Sequence, residues 1–330
     1  MRHNSRKIVI ILVSMFMASL FLVSPVSALE SASQPGPVSN SSLSKIGVGV
    51  YIHSIDNIDY VRGTYTMDFY LHFLWTDPGI QTAHFEIMNG QPSAGSHSLE
   101  KLSANTAGPV KEEWYRVRAD LSTDNDIRNF PFERGTLPIE IEDATSSAPD
   151  LLYFPLEEES GIDPKFAIPG WSIGTPTAFV DNHSYPWGQA YSRFSYNVPI
   201  TKNETDSIVQ TLIPPLIFCF IALLSFVIKV DHNELVHLRY VLTTTMLLST
   251  VMYHFSEVTV QPGLAVLKLF DKYMISVYLF LAATIVVTTL CYLAQWQWQR
   301  PGLVKYINRY GMVVSVLVPV VSFWLLVTLL

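Results

Sequence analysis

Four apolar runs close the sequence, at residues 208–228, 238–260, 273–293 and 310–330, each 21 to 23 residues long. At about 1.5 Å of rise per residue, a run of that length crosses the roughly 30 Å of bilayer hydrocarbon as one helix. Apolar residues make up 49% of the 330-residue chain and charged residues only 15%. That is too apolar for a soluble chain of this size. The apolar excess is unevenly spread. Residues 29–206 hold 24 acids against 11 bases, a net of −13, whereas residues 207–330 hold 4 against 7, a net of +3. The composition breaks near Ser207, dividing the chain into 29–206 and 207–330.

Residues 1–28 read as a secretory signal. Arg2, Arg6 and Lys7 form a positive end, an apolar run follows, and Val26-Ser27-Ala28 supplies the small residues of a cleavage site. A further membrane span is the competing reading, but the apolar run is short for one. A signal places residues 29–206 outside the cell, or in a periplasm, with the C-terminus on the same side. Lys229, Arg239, Arg300, Lys305 and Arg309 then face the cytoplasm, against Lys268 and Lys272 outside. That asymmetry agrees with the positive-inside rule.

Residues 29–206 read as strands. Tyr65, Met67, Phe69, Leu71, Phe73 and Trp75 occupy every second position, the period of a strand with one buried face. The same period recurs at Ile46–52, Leu137–Ile141 and Phe194–Ile200, with turns such as Thr76-Asp77-Pro78-Gly79 between. Short alternating strands without a helical period predict an all-β, immunoglobulin-like sandwich. The sandwich contains no cysteine: Cys219 and Cys291 both lie in apolar runs, so no disulfide framework holds it.

The second span is unusual. It carries Thr243, Thr244, Thr245, Ser249, Thr250, His254 and Ser256. Hydroxyls in a span bond to a neighbouring helix or face water, and both readings stand at this point. No Gly-rich phosphate loop, HExxH, Gly-x-Ser-x-Gly or cysteine nucleophile outside the apolar runs is present, so enzymatic function is not expected. Nothing calls for a cofactor or a nucleic acid. Glu234 and His237 have the i, i+3 spacing of some metal ligands, yet without a second pair they read as solvated residues and no metal is expected.

With these features the chain resembles the pentameric ligand-gated ion channels, the Cys-loop receptor superfamily, in its prokaryotic form without the Cys-loop disulfide. Phe130-Pro131-Phe132-Glu133-Arg134 is similar to the family's Phe-Pro-Phe-Asp-Arg turn, and Trp75-Thr-Asp77 to its Trp-x-Asp. Phe85 to Asn89 resembles a later segment, and Pro214 and Pro215 match the proline of the first span. From Arg239 through Tyr253, Phe255, Pro262, Asp271 and Tyr278 the spacing resembles a bacterial member without gaps. The segment between Asp77 and Phe85 is shorter than is usual where the family builds its ligand pocket, and about 16 residues separate the third and fourth runs.

The resemblance implies a homopentamer in the lipid bilayer, with inorganic ions as cargo and a small molecule or protons as agonist. It implies a pore lined by His237, Val241, Thr245, Leu248, Met252, Phe255 and Thr259, which recur at helical spacing. Glu86, Trp171, Tyr185, Trp187 and Tyr191 are the ligand candidates, because aromatic faces hold cations. Glu133 and Lys202 become the acid and base that couple the two domains. His254 is the candidate proton sensor. Cations are the expected ions, given the acidic outer domain. A non-conducting receptor-like binding protein of this fold and an anion-selective channel are the alternatives.

Overall fold

The computed structural model describes residues 44–95, 98–260 and 267–329. Residues 1–28 and Pro262 lie outside the described residues. Two compact units emerge. One extends to Ile127 and resumes over Phe132–Asn203; the other comprises Arg128–Pro131 and the chain from Glu204 onward.

The first unit is built from β1 (Ser44–Asp59), β2 (Thr64–Trp75), β3 (Phe85–Ile87), β4 (Gly90–Pro92), β5 (Leu99–Asn105), β6 (Lys111–Ser122), β7 (Arg134–Asp143), β8 (Leu151–Pro155), β9 (Gly161–Ile162), β10 (Trp171–Ile173), β11 (Thr177–Ser184) and β12 (Ala190–Lys202). One sheet has the order β4-β6-β2-β1-β8, with β5 on β6 and β9 on β1; the other has β10-β12-β7-β3, with β11 on β12. Inward residues of both sheets form one core, including Val48, Phe69, Phe73, Ile139, Phe194 and Val198. This is the β-sandwich that the alternation predicts.

The outer face of β2 departs from the simple alternation. Thr66, Asp68 and His72 are buried as well, because β2 runs between two long neighbours, β1 and β6. Burying such groups is tolerated only when they are paired. Arg116 Nη2 lies 2.9 Å from Asp68 Oδ2. His72 stacks on Trp114 with ring centroids 4.0 Å apart and meets the Glu159 carboxylate through Nδ1.

Glu113 on β6 is a second buried acid. It accepts hydrogen bonds from Lys101 Nζ at 2.6 Å, Tyr115 Oη at 2.8 Å, Thr82 Oγ1 at 2.9 Å and the Ala83 amide at 3.2 Å. Burial alone would raise its pKa, but these donors outweigh it and hold the carboxyl below its ordinary value. A carboxyl depressed in the folded state adds stability above its unfolded pKa of about 4.3, and that stability is lost as pH falls through the folded value. The Glu113→Gln variant should therefore be about 2 kcal/mol less stable at neutral pH, with the gap closing in acid. Melting temperature followed from pH 7 to 3 checks this; parallel curves for the two proteins would refute it.

Among the described residues, the second unit holds four helices long and apolar enough to cross a membrane: α1 (Glu204–Val227), α2 (Asn233–Val260), α3 (Leu269–Gln297) and α4 (Pro301–Leu329). They are longer than the apolar runs. Hydropathy detects only the segment matched to hydrocarbon, whereas backbone hydrogen bonding continues into the polar flanks. The link between α3 and α4 is correspondingly three residues, 298–300, instead of the 16 read from hydropathy.

Within α1, Pro214 and Pro215 lack the amides that would bond to Gln210 O and Thr211 O four residues earlier. The helix widens over Ile208–Leu212 into a π turn. Tyr253 Oη from α2 donates to both freed carbonyls, at 3.0 and 3.1 Å, and Tyr273 Oη from α3 donates to Leu212 O at 3.0 Å. No water is available in hydrocarbon to do this. Tyr253→Phe should consequently cost about 1–3 kcal/mol, read as earlier thermal unfolding in detergent. An unchanged melting temperature would mean that the carbonyls find other donors.

Candidate functional site

The α2 stripe has two distinct sides. Val241 (47%), Leu248 (63%), Met252 (60%) and Phe255 (64%) are exposed in the single chain, and so are His237 and Thr245. The side chain of Thr259 lies outside the described residues. On the opposite side, Arg239, Thr243 and Thr250 are fully buried. The two readings of the α2 hydroxyls divide accordingly. Thr243 and Thr250 bond back to Arg239 O at 2.9 Å and Met246 O at 2.8 Å, so they are satisfied by their own helix. Thr245 is the hydroxyl on the exposed stripe.

Arg239, one of the cytoplasm-facing bases by the charge asymmetry, is a buried cation. Its Nη1 donates to Asn308 Oδ1 on α4 at 3.0 Å, and the guanidinium lies 5.3 Å from the Phe226 ring centroid. A charged residue inside an apolar span is itself a sequence signal for such a partner. His254 faces α3, with Nδ1 3.0 Å from Tyr278 Oη and Nε2 3.5 Å from Asp271 Oδ1. The carboxylate is the partner that sequence reasoning missed, since Asp271 is seventeen positions away on another helix.

The ligand candidates separate into two groups. The β11–β12 hairpin turns through Tyr185–Gln189, with Gly188 at φ +90°, a conformation that favours glycine. This turn gathers Tyr185, Trp187 and Tyr191. Tyr185 stacks on Trp187 at 4.4 Å and meets Tyr191 edge-on at 5.7 Å, with His183 edge-on at 4.7 Å. Gln189 Oε1 accepts from Trp187 Nε1 and Tyr191 Oη, both at 3.2 Å. Behind them Tyr185 Oη donates to Glu142 Oε2 at 2.9 Å, and Arg193 Nε lies 2.7 Å from Glu142 Oε1. Burial in contact with the Glu142 carboxylate pushes the Tyr185 phenol pKa up, so it stays a donor. Glu86 is exposed on β3, directly across from Glu142.

Trp171 does not join them. It pairs with Lys202, eleven residues from Tyr191 along β12, or roughly 35 Å at ~3.3 Å per residue. Its ring lies 5.6 Å from Tyr60 and 5.9 Å from Lys202 Nζ. Beside it, Lys202 Nζ is 2.8 Å from Glu133 Oε2, and the Lys202 amide donates to Glu133 O at 2.9 Å. The two coupling candidates are thus in contact, and Trp171 belongs with them. In the helical unit, Phe130 of the preceding turn packs edge-on to Phe270 at 5.7 Å. Phe130 O accepts from the Phe270 amide at 3.1 Å, and Arg128 O from the Leu269 amide at 2.8 Å.

No protein-family model matches the sequence. The chain is 21% identical over 258 residues to gamma-aminobutyric acid receptor subunit beta-4 of Gallus gallus, a similarity covering 71% of this chain and 52% of the relative. The chain therefore spans about half the length of the curated relative that it matches. A β-sandwich followed by four apolar helices and this distant similarity both agree with the resemblance to the Cys-loop, pentameric ligand-gated channel superfamily.

Proposed function

We propose that the chain is one subunit of a homopentameric, ligand- or proton-gated ion channel of the cell membrane. Its sandwich lies outside the cell or in the periplasm, and α2 of each subunit lines the pore. The observation that carries this reading is the uncovered stripe Val241, Thr245, Leu248, Met252 and Phe255 opposite a fully buried face. Five such stripes about an axis would form stacked apolar rings, which gate by dewetting, above a wettable ring at Thr245. His237 and Thr259 would bracket them.

Cations are the favoured ions. The domain at 29–206 carries a net −13, and like-signed walls concentrate counter-ions. Arg239, the base nearest the lower mouth, is buried away from the stripe. The agonist site is the β11–β12 hairpin, where Trp187 is 67% exposed and an acidic group, Glu86, stands on a nearby strand. Aromatic faces near a carboxylate suit a small organic cation. Glu133 and Lys202 would transmit the change. Protons are the second agonist class, with His254 as receiver and Asp271 as its counter-ion.

Recordings from purified protein in planar bilayers test this, with small primary amines and with external pH varied from about 8 to 4. The expected result is a cation-selective current evoked by one of the two. An assembled oligomer silent under all conditions would favour the non-conducting receptor reading, and a reversal potential following chloride would favour an anion channel.

A further inference from the structure

Arg239 has more hydrogen-bonding capacity than its neighbours use. The residue is fully buried, beside the Phe226 ring and the Cys291 thiol of α3, both members of one apolar cluster. A guanidinium carries five N–H donors in one rigid plane. Nη1 donates to Asn308 Oδ1, and the Asn308 amide is anchored in turn by donating from Nδ2 to Phe226 O at 3.1 Å. That contact and the Phe226 ring fix the plane. The other edge, Nε and Nη2, has no hydrogen-bond partner among the described residues. Those two nitrogens send parallel donors to one side. Elsewhere in this chain the same edge holds an anion: Arg116 presents Nε and Nη2 to the two carboxylate oxygens of Asp68, at 3.1 and 2.9 Å.

No carboxylate of the described chain does this for Arg239. No Asp or Glu occurs from Lys272 to Leu330, which removes α4 and almost all of α3 as sources. On α2, Glu234 is exposed, and Glu257 lies eighteen residues further on, roughly 27 Å along the helix. A cation in a dry site is strongly disfavoured unless both its charge and its donors are answered. The Cys291 thiol is too weak an acceptor to do either. Water would answer the donors and leave the charge. Ser225, adjoining Phe226, adds another fully buried hydroxyl without a partner, so donors outnumber acceptors at this end of the helical unit.

We propose that the Nε–Nη2 edge of Arg239 binds a small monovalent anion of the halide class, inside the four-helix unit of each chain. One spherical acceptor takes both parallel N–H bonds, and its charge cancels that of the guanidinium. A tetrahedral oxyanion would bring four acceptor oxygens into apolar surroundings that have few donors to meet them. The inference goes beyond the channel reading, since it concerns the interior of one subunit and its test measures no current.

The test uses the full chain in neutral detergent, exchanged into sodium gluconate, with thermal unfolding followed as bromide replaces gluconate at constant ionic strength. Melting temperature should rise saturably. Protein desalted from bromide and then unfolded should release about one bromide per chain, which detects an ion held too tightly to exchange. Two charge-assisted bonds at about 10-fold or more each mean that R239Q should bind bromide about 100-fold more weakly. N308D sets a carboxylate where Asn308 Oδ1 meets Nη1 and so gives Arg239 a counter-ion of its own. That variant should fold and melt independently of bromide, and it decides the matter if R239Q does not fold. R300Q, exposed near the start of α4, should respond like the unmodified protein. A flat titration with no bromide released would show that water alone answers these donors and would overturn the assignment. So would a full bromide response in R239Q or N308D, or its loss in R300Q.

Discussion

Replacing Leu248 with threonine is expected to give a protein that conducts without agonist. Leu248 is the central exposed leucine of the α2 stripe, flanked one turn away by Met252 and Thr245. A narrow ring of leucines excludes water, and without water an ion retains no hydration. Exchanging each leucine for a hydroxyl-bearing side chain removes about 1 kcal/mol of resistance to wetting per subunit. In the proposed pentamer five such changes sum to about 5 kcal/mol, which approaches the ~5.5 kcal/mol that moves a two-state equilibrium from 1:99 to 99:1. Ion flux from loaded vesicles, measured without agonist, gives the answer. Resting leak and agonist sensitivity both equal to those of the unmodified protein would show that Leu248 is not the barrier.

The second large effect is expected at the Glu133–Lys202 contact. The Glu133 side chain is 4% exposed and that of Lys202 29% exposed, so the two single variants should not be equivalent. Lys202→Gln takes one cationic partner from a carboxylate in a nearly dry site, a loss of about 1.5–3 kcal/mol. Glu133→Gln leaves an ammonium that can still reach water, and it should cost less. The double variant should cost less than the sum, with a coupling energy of about 0.5–3 kcal/mol. Denaturant midpoints of the four proteins yield this cycle, and agonist sensitivity of the same set shows whether the contact serves gating. Additive losses would mean that the two charges do not interact in solution.

Much of the architecture is determined by local pattern. The period of two in β2, β7 and β12 depends on which side of a pleated strand each residue occupies, so it survives whatever the strands pair with. The four apolar runs are equally local, since a helix in hydrocarbon must be long and apolar by itself. The helical spacing of Val241, Thr245, Leu248, Met252 and Phe255 also follows from sequence alone, because residues three and four apart share a face. Which face of α2 is buried does not.

That choice depends on partners distant in sequence. Arg239 turns inward to Asn308, sixty-nine residues away. Tyr253 is held by carbonyls that Pro214 and Pro215 release. Trp171 looks like a member of the aromatic set in the linear chain, but the pairing of β10 with the far end of β12 puts it beside Lys202. Likewise Asp271 reaches His254 only because α2 and α3 pack together. One-dimensional periodicity encodes which residues share a face; close packing of separate elements, and the need to pair every buried polar group, decides what each face meets.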